Sequence, residues 1–161
     1  MAELTAWLMD FGHGRRAATG ERLLVHIVPA PVLAEVPRAP AHCRRVLVWE
    51  NRLLPAWDVG AFLGAPPIAS DRALAALAAY RGGADTGKAR LGALLLPAPP
   101  VRIAVLDPRS CELPDARWRA IAKACFEHRE EAVPILDLAR MFETRAIAER
   151  EAVDDAALAA A

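Results

Sequence analysis

The dominant pattern along the chain is a series of short apolar runs cut by proline, glycine and small polar clusters, at strand length rather than helix length. Ala6 to Phe11 reads as a first strand with imperfect alternation, and Gly12-His13-Gly14-Arg15-Arg16 as the turn or loop after it. Leu23 to Val28 is a compact apolar strand stopped by Pro29 and Pro31, and Val32 to Val36 continues extended towards Pro37 and Pro40. Proline has no N–H to give to a ladder, so these residues mark strand ends and edges. Ala41 to Arg45 reads as a turn or a single helical turn. The most legible hairpin follows, with Val46 to Trp49 as one strand, Glu50-Asn51 as the turn, and Arg52 to Leu54 returning until Pro55. Asparagine tolerates the left-handed backbone that a tight hairpin needs. Asp58 is then placed to cap a short helix, Val59 to Leu63, closed by Gly64.

The stretch from Ala65 to Arg90 changes character. Pro66-Pro67 breaks the chain, and Ser70-Asp71 opens an alanine-rich segment that predicts a helix to about Arg81, with Ser70 as its cap and Gly82-Gly83 as its stop. It reads as a helix and loop inserted between two β-rich halves. Strands resume at Leu91 to Leu96 and Val101 to Leu106, and Asp107-Pro108 turns the chain. Trp118 to Glu127 reads as a strand, although its alanines also suit a helix. A polar turn, His128-Arg129-Glu130-Glu131, leads to a return strand from Ala132 to Leu136 and a helix starting near Asp137. The tail from residue 144 to 161, alanine- and acid-rich, predicts a frayed or weakly held helix.

Two of these units repeat. Pro55/Pro134, Asp58/Asp137, Val59/Leu138, Phe62/Met141 and Leu63/Phe142 share one offset (137 − 58 = 79). In each unit a strand ends near a proline, an Asp three residues on offers its carboxylate to free backbone N–H groups, and a short helix brings two bulky residues to a core. The expected fold is therefore mainly β, with two small β-barrels around a shared core, each closed by a short helix.

Composition narrows the function classes. A chain of 161 residues suffices for one domain or two small barrels on one core; it is 55% hydrophobic, though much of that is alanine. Lys plus Arg equals Asp plus Glu at 20 each, which leaves no electrostatic footprint for nucleic acid or an acidic membrane. The pairs Arg15-Arg16 and Arg44-Arg45 read as solvated surface. Cys43, Cys111 and Cys125 are odd in number and far apart in sequence, and Met1-Ala2-Glu3-Leu4 has neither the basic start nor the apolar run of a leader, so a cytoplasmic chain with reduced thiols is expected. No apolar segment approaches the roughly 20 residues that span a bilayer.

Candidate chemistry is sparse. Gly82 to Lys88 has the Gly-x4-Gly-Lys spacing of a phosphate loop, but that loop must follow a strand and open a helix. Here the expected helix precedes it, and Ala89 stands where Ser or Thr would meet magnesium. Cys125 with His128, and His42 with Cys43, are possible ligand pairs, yet zinc asks for about four ligands and a strand points positions 125 and 128 to opposite sides. Cys125 and His26 are read as core or edge residues, and no cofactor, metal or catalytic residue is expected. Trp49, Trp57 and Trp118 read as core, with a hydrophobic docking surface as the functional alternative; Val46, Val48 and Leu53 divide the same way.

These segments resemble the CheW-like domain of bacterial chemosensory systems. Leu33-Ala34-Glu35-Val36-Pro37 matches that family's hydrophobic-Glu-hydrophobic stretch before prolines, and Arg45-Val46-Leu47-Val48-Trp49-Glu50-Asn51 its following strand and turn. Pro55-Ala56-Trp57-Asp58-Val59 matches its Pro-x-x-Asp-Leu, and Val133-Pro134-Ile135-Leu136-Asp137-Leu138 its Val-Pro-Ile-Leu-Asp-Leu. The resemblance covers roughly residues 5 to 143 and rests on order and spacing. It implies two five-stranded SH3-like barrels around a shared core, the first over about 20–64 and the second over about 91–136, with the helix over about 70–81 inserted between them. It also implies a cytoplasmic, non-enzymatic adaptor whose partners are a chemoreceptor signalling domain and a CheA-type histidine kinase, with partner contacts at Leu33, Glu35, Val36, Arg45, Glu50 and Asn51. The family's hairpin arginine is Glu50 here, its next glycine is Asn51, and the glycine before the strand is Arg45. The arginine of the family faces the glutamate matching Glu35, so a Glu35–Glu50 pairing would be like-charged. Such departures fit a divergent branch, such as the adaptors of systems controlling type IV pili and twitching. The competing expectation is a small β-barrel that binds a ligand or catalyses a reaction, which would need a concave site with convergent polar groups.

Overall fold

The computed structural model describes residues 2–81 and 88–143. Eleven strands are present among them: β1 (Glu3–Asp10), β2 (Arg16–Gly20), β3 (Leu24–Val28), β4 (Val32–Glu35), β5 (Arg45–Trp49), β6 (Arg52–Trp57), β7 (Leu74–Tyr80), β8 (Arg90–Leu96), β9 (Val101–Leu106), β10 (Ala122–His128) and β11 (Glu131–Leu136). Short 3-10 turns cover Ala41–Cys43, Ser70–Arg72 and Ala116–Ala120, the helix α1 spans Val59–Phe62, and residues 138–143 are helical. The strands form two mixed sheets, β10-β11-β2-β1-β9 and β3-β7-β8-β6-β5-β4. No ladder joins β10 to β9 or β3 to β4 among the described residues, so the expected barrels take the form of two open sheets.

The inserted helix is not formed. Only Ser70–Arg72 makes a 3-10 turn, without a side-chain cap, and Leu74–Tyr80 is strand β7, paired antiparallel with β3 on one side and β8 on the other. The physical reason is burial on both faces. Ala76 and Ala78 face one core while Ala75 and Leu77 face another, so the strand lacks the polar alternation that marks a half-buried strand. Alanine's helix preference, a few tenths of a kcal/mol per residue, is small beside two complete ladders and two packed faces. Strand β2 went unseen for a related reason, since Ala17, Ala18 and Thr19 are all buried and carry no alternation. The expected strand over Trp118 to Glu127 divides into the 3-10 turn at Ala116–Ala120 and then β10.

The sheets also partition the chain differently from the expected halves. β8, placed at the start of the second barrel, lies in the six-stranded sheet with β7 and β6, while β1 and β2 from the N-terminus join β9, β10 and β11. One half is therefore a continuous central segment and the other is assembled from both ends of the chain.

The 79-residue repeat is visible in the backbone. The turn residues Glu50 and Asn51 have φ of 46° and 59°, and Arg129 and Glu130, 79 positions on, have 49° and 65°. Both hairpins thus close on two left-handed residues, the geometry whose twist matches paired strands. The Asp58 N–H donates to the His42 carbonyl at 2.8 Å, and the Asp137 N–H to the Ile121 carbonyl at 2.8 Å. The Asp58 carboxylate accepts from the Ala61 N–H, and the Asp137 carboxylate from the Arg140 N–H. Before each cap the return strand pairs parallel with a strand across the sheet, β6 with β8 and β11 with β2.

The two helices that follow these caps meet in one core. Val59 and Leu63 from the first, and Leu138, Met141 and Phe142 from the second, pack with Met9, Trp57, Leu94, Trp118 and Leu136. Each half keeps a smaller core of its own, around Leu47, Leu77 and Leu95 in one and Phe126 and Val133 in the other. The Phe142 ring stacks on Tyr80 at 4.9 Å and brings its para end against Gly92 of β8, so a Cβ at Gly92 would overlap the ring. Gly92→Ala should cost about 1–3 kcal/mol by overpacking. Urea unfolding of Gly92→Ala against Gly92→Ala/Phe142→Leu checks this, because the smaller side chain should restore part of the loss.

Candidate functional site

The surface built by β4, β5 and β6 begins from a buried ion pair. Arg45, the first residue of β5, is 7% exposed, and Asp58, the cap of α1, is 1% exposed. Arg45 Nη2 donates to Asp58 Oδ2 at 3.1 Å, and its Nη1 donates to the Ile68 carbonyl and to Ser70 Oγ at 3.3 Å. The other Asp58 lone pairs take the Ile68 N–H at 2.8 Å and the Ala61 N–H at 3.0 Å. A charge pair taken out of water survives only when its remaining donors and acceptors are satisfied, and here they are shared among β5, α1 and the 68–70 segment. Arg45 is therefore an internal residue, contrary to the reading of Arg44-Arg45 as solvated. Arg15 is likewise half-buried, and it and Arg117 both donate to the Leu63 carbonyl at the end of α1.

Above this base the hairpin is apolar on both faces. Register sets Leu33, Leu47 and Leu54 in one inward row, over the smaller core. The alternate positions point out. Val32, Val48 and Leu53 form one cross-strand row, and Ala34, Val46 and Pro55 the next. Val32 is 65%, Val48 40% and Leu53 68% exposed. A half-exposed antiparallel sheet normally carries polar residues at such positions, and here two adjacent apolar rows run across three strands. β4 is the edge of its sheet, with one side of its ladder open. At the hairpin tip Trp49 turns inward, half-buried, with the Arg52 guanidinium 5.7 Å from its ring centre and the His26 ring at 6.1 Å.

The six residues expected to contact partners fall into separate places. Leu33 lies on the inward row and is half-buried against the core. Glu35 is exposed and pairs in register with Arg45, beside a cleft of about 250 Å³ that also borders Arg44 and Ser70. Val36 follows it, its N–H donating to the Arg44 carbonyl. Glu50 and Asn51 are exposed at the opposite end of β5, so the like-charged Glu35–Glu50 pairing does not arise. Val32, Val48 and Leu53 as a single surface row were not recognised in the sequence. The available signal was the uninterrupted run Val46-Leu47-Val48-Trp49, which has no polar face at all.

The other expected candidates resolve as follows. Trp57 and Trp118 are buried in the shared core. The segment 82–87 of the phosphate-loop spacing lies outside the described residues, but its flanks are strand β7 before and strand β8 after, in place of the expected helix before it. Three or more His, Cys, Asp or Glu side chains in metal-binding proximity do not occur among the described residues, and no helix there is long and apolar enough to cross a membrane. A second concavity, about 410 Å³, lies where the two halves meet, lined by Leu23, Tyr80, Lys123 and Leu136 to Ala139. Burial pushes the Tyr80 phenol up from its ordinary value, with Arg90 opposing.

The fold is that of a solved scaffolding protein. The crystal structure of TtCheW from Thermoanaerobacter tengcongensis superposes with a TM-score of 0.66 at 9% sequence identity, covering 84% of this chain and 90% of that one. No family model matches the sequence, and no curated protein matches it.

Because the ion pair is buried, removing one partner strands the other charge. Asp58→Ala should cost about 3–5 kcal/mol, and Asp58→Ala/Arg45→Met less than the sum of the single losses. Urea midpoints of the three variants measure this coupling; additive losses would contradict it.

Proposed function

We propose that this chain is a non-enzymatic signalling adaptor of the CheW kind, which couples the signalling domain of a chemoreceptor to a histidine kinase. The observation that carries the reading is the doubly apolar β4-β5-β6 surface, anchored from beneath by Arg45 and Asp58. Catalysis needs polar groups converging on a reacting atom; this surface instead offers contiguous apolar area on a rigid sheet, which suits a protein partner. The fold shared with a scaffolding protein supports the same direction.

In this reading Val32, Val48 and Leu53 form the centre of the contact. Glu35 and Val36 at one end of β4-β5, and Glu50 and Asn51 at the other, form its polar rim. Leu33 and Arg45 act from below by fixing the strands. The replacement of the family's arginine by Glu50 changes the sign of the rim at the hairpin tip, so the partner surface there carries a complementary positive charge. That change supports reading the chain as one of a divergent branch of adaptors, such as those serving type IV pili.

Leu53→Glu and Val48→Lys should leave stability within about 0.5 kcal/mol, since both side chains face solvent. They should weaken binding to a purified receptor signalling domain or kinase regulatory domain from the same host by tenfold or more, read by titration calorimetry. A charged substitution at Asn51 or Val36 should weaken it less. If neither purified partner associates with the unaltered chain, the coupling reading fails.

A further inference from the structure

Cys111 and Cys125 are 14 residues apart in sequence, yet their sulfurs are 3.3 Å apart. The approach is built by the backbone. The Cys111 N–H donates to the Cys125 carbonyl at 3.2 Å, the Glu127 N–H to the Arg109 carbonyl at 2.8 Å, and Ser110 bridges Phe126 antiparallel. Residues 109–111 thus form a strap along the outer edge of β10, the terminal strand of its sheet. Directly opposed residues on antiparallel strands have Cα atoms about 4.5–5.5 Å apart, inside the range of about 4.4–6.8 Å that a disulfide spans. No large backbone movement separates the two thiols from a bond.

We propose that Cys111 and Cys125 are a reversible thiol–disulfide site that responds to low-molecular-weight disulfides and, when oxidised, fastens the 109–111 strap to the edge of β10. The chemistry is a two-step exchange. The half-buried Cys111, as thiolate, attacks one sulfur of a small disulfide such as oxidised glutathione; the small disulfide bond breaks and one small thiol leaves. The Cys125 sulfur then attacks the Cys111 sulfur of the mixed disulfide, forming the internal bond and releasing the second small thiol. The two protein thiols lose two electrons and two protons, and both end on the two released small thiols.

The environments of the two cysteines assign these roles. Cys111 is half-exposed, whereas Cys125 is buried and its sulfur also lies 3.6 Å from the Glu112 carbonyl. Burial, with the neighbouring Cys111 sulfur adding to it, pushes the Cys125 thiol up to about 12. Cys125 is therefore the poorer first nucleophile; it gives up its proton only as it attacks the mixed disulfide, when Cys111 no longer holds a thiol beside it. Cys43, buried among other residues, is an internal control. The site stands on its own geometry and does not depend on the adaptor reading.

The test incubates the full chain over a series of oxidised-to-reduced glutathione ratios, quenches with acid, alkylates free thiols, and follows intact mass and peptide maps. The expected result is loss of two hydrogens, a peptide cross-linked through Cys111 and Cys125, an alkylated Cys43, and full reversal by dithiothreitol. Cys43→Ser should behave identically, and Cys125→Ser should trap the glutathione mixed disulfide on Cys111. A stable mixed disulfide on Cys111 in the unaltered chain, a cross-link involving Cys43, or two thiols that stay alkylatable at every ratio would each overturn the proposal.

Discussion

The carboxylate of Asp58 holds together three pieces of chain that sequence alone leaves unconnected. It caps α1 through the Ala61 N–H, receives the guanidinium from the start of β5, and takes the Ile68 N–H from the segment leading to β7. Water is excluded from it, so each of these bonds works in a low-dielectric setting where an unmet partner is costly. The strands that carry the exposed apolar rows start from this node, because Arg45 opens β5 and pairs in register with Glu35 of β4.

The second half repeats the plan without the ion pair. Asp137 accepts from the Arg140 N–H and its own N–H meets the Ile121 carbonyl, matching Asp58 in both respects. The position equivalent to Arg45 (45 + 79 = 124) is Ala124, at an irregularity in the β10–β11 register. A helix cap with access to water needs no buried cation. The half that carries the apolar outer face is the half that has the ion pair.

Both surfaces argued for above use the ends of sheets. β4 exposes an edge beside two apolar rows, while β10 has its edge occupied by the strap that carries Cys111. Unpaired edges invite further strands, and these two of the four sheet edges differ among the described residues: β4 is left open beside the apolar rows, and β10 is covered. Two open sheets joined by the core around Trp57, Leu94 and Phe142 give this chain the fold of a scaffolding protein at 9% sequence identity.

The local order of this protein was legible in its sequence. The hairpin at Glu50-Asn51, the caps at Asp58 and Asp137, the 79-residue repeat and the predominance of strands each follow from short-range rules of turn, cap and proline chemistry. Those rules act within a few residues, so the residues themselves display them. What the tertiary structure decided lies where burial comes from distant segments. The alanine-rich stretch became β7 because β3 and β8 supply ladders on both sides, and Arg45 became internal because Asp58 and Ile68 fold over it. Cys111 met Cys125 because a strap pairs with β10, and Val32, Val48 and Leu53 became a surface because no other element among the described residues covers that face. Small or apolar residues serve a helix, a two-sided strand or a docking face equally well, and only the packing of the whole chain selects among them.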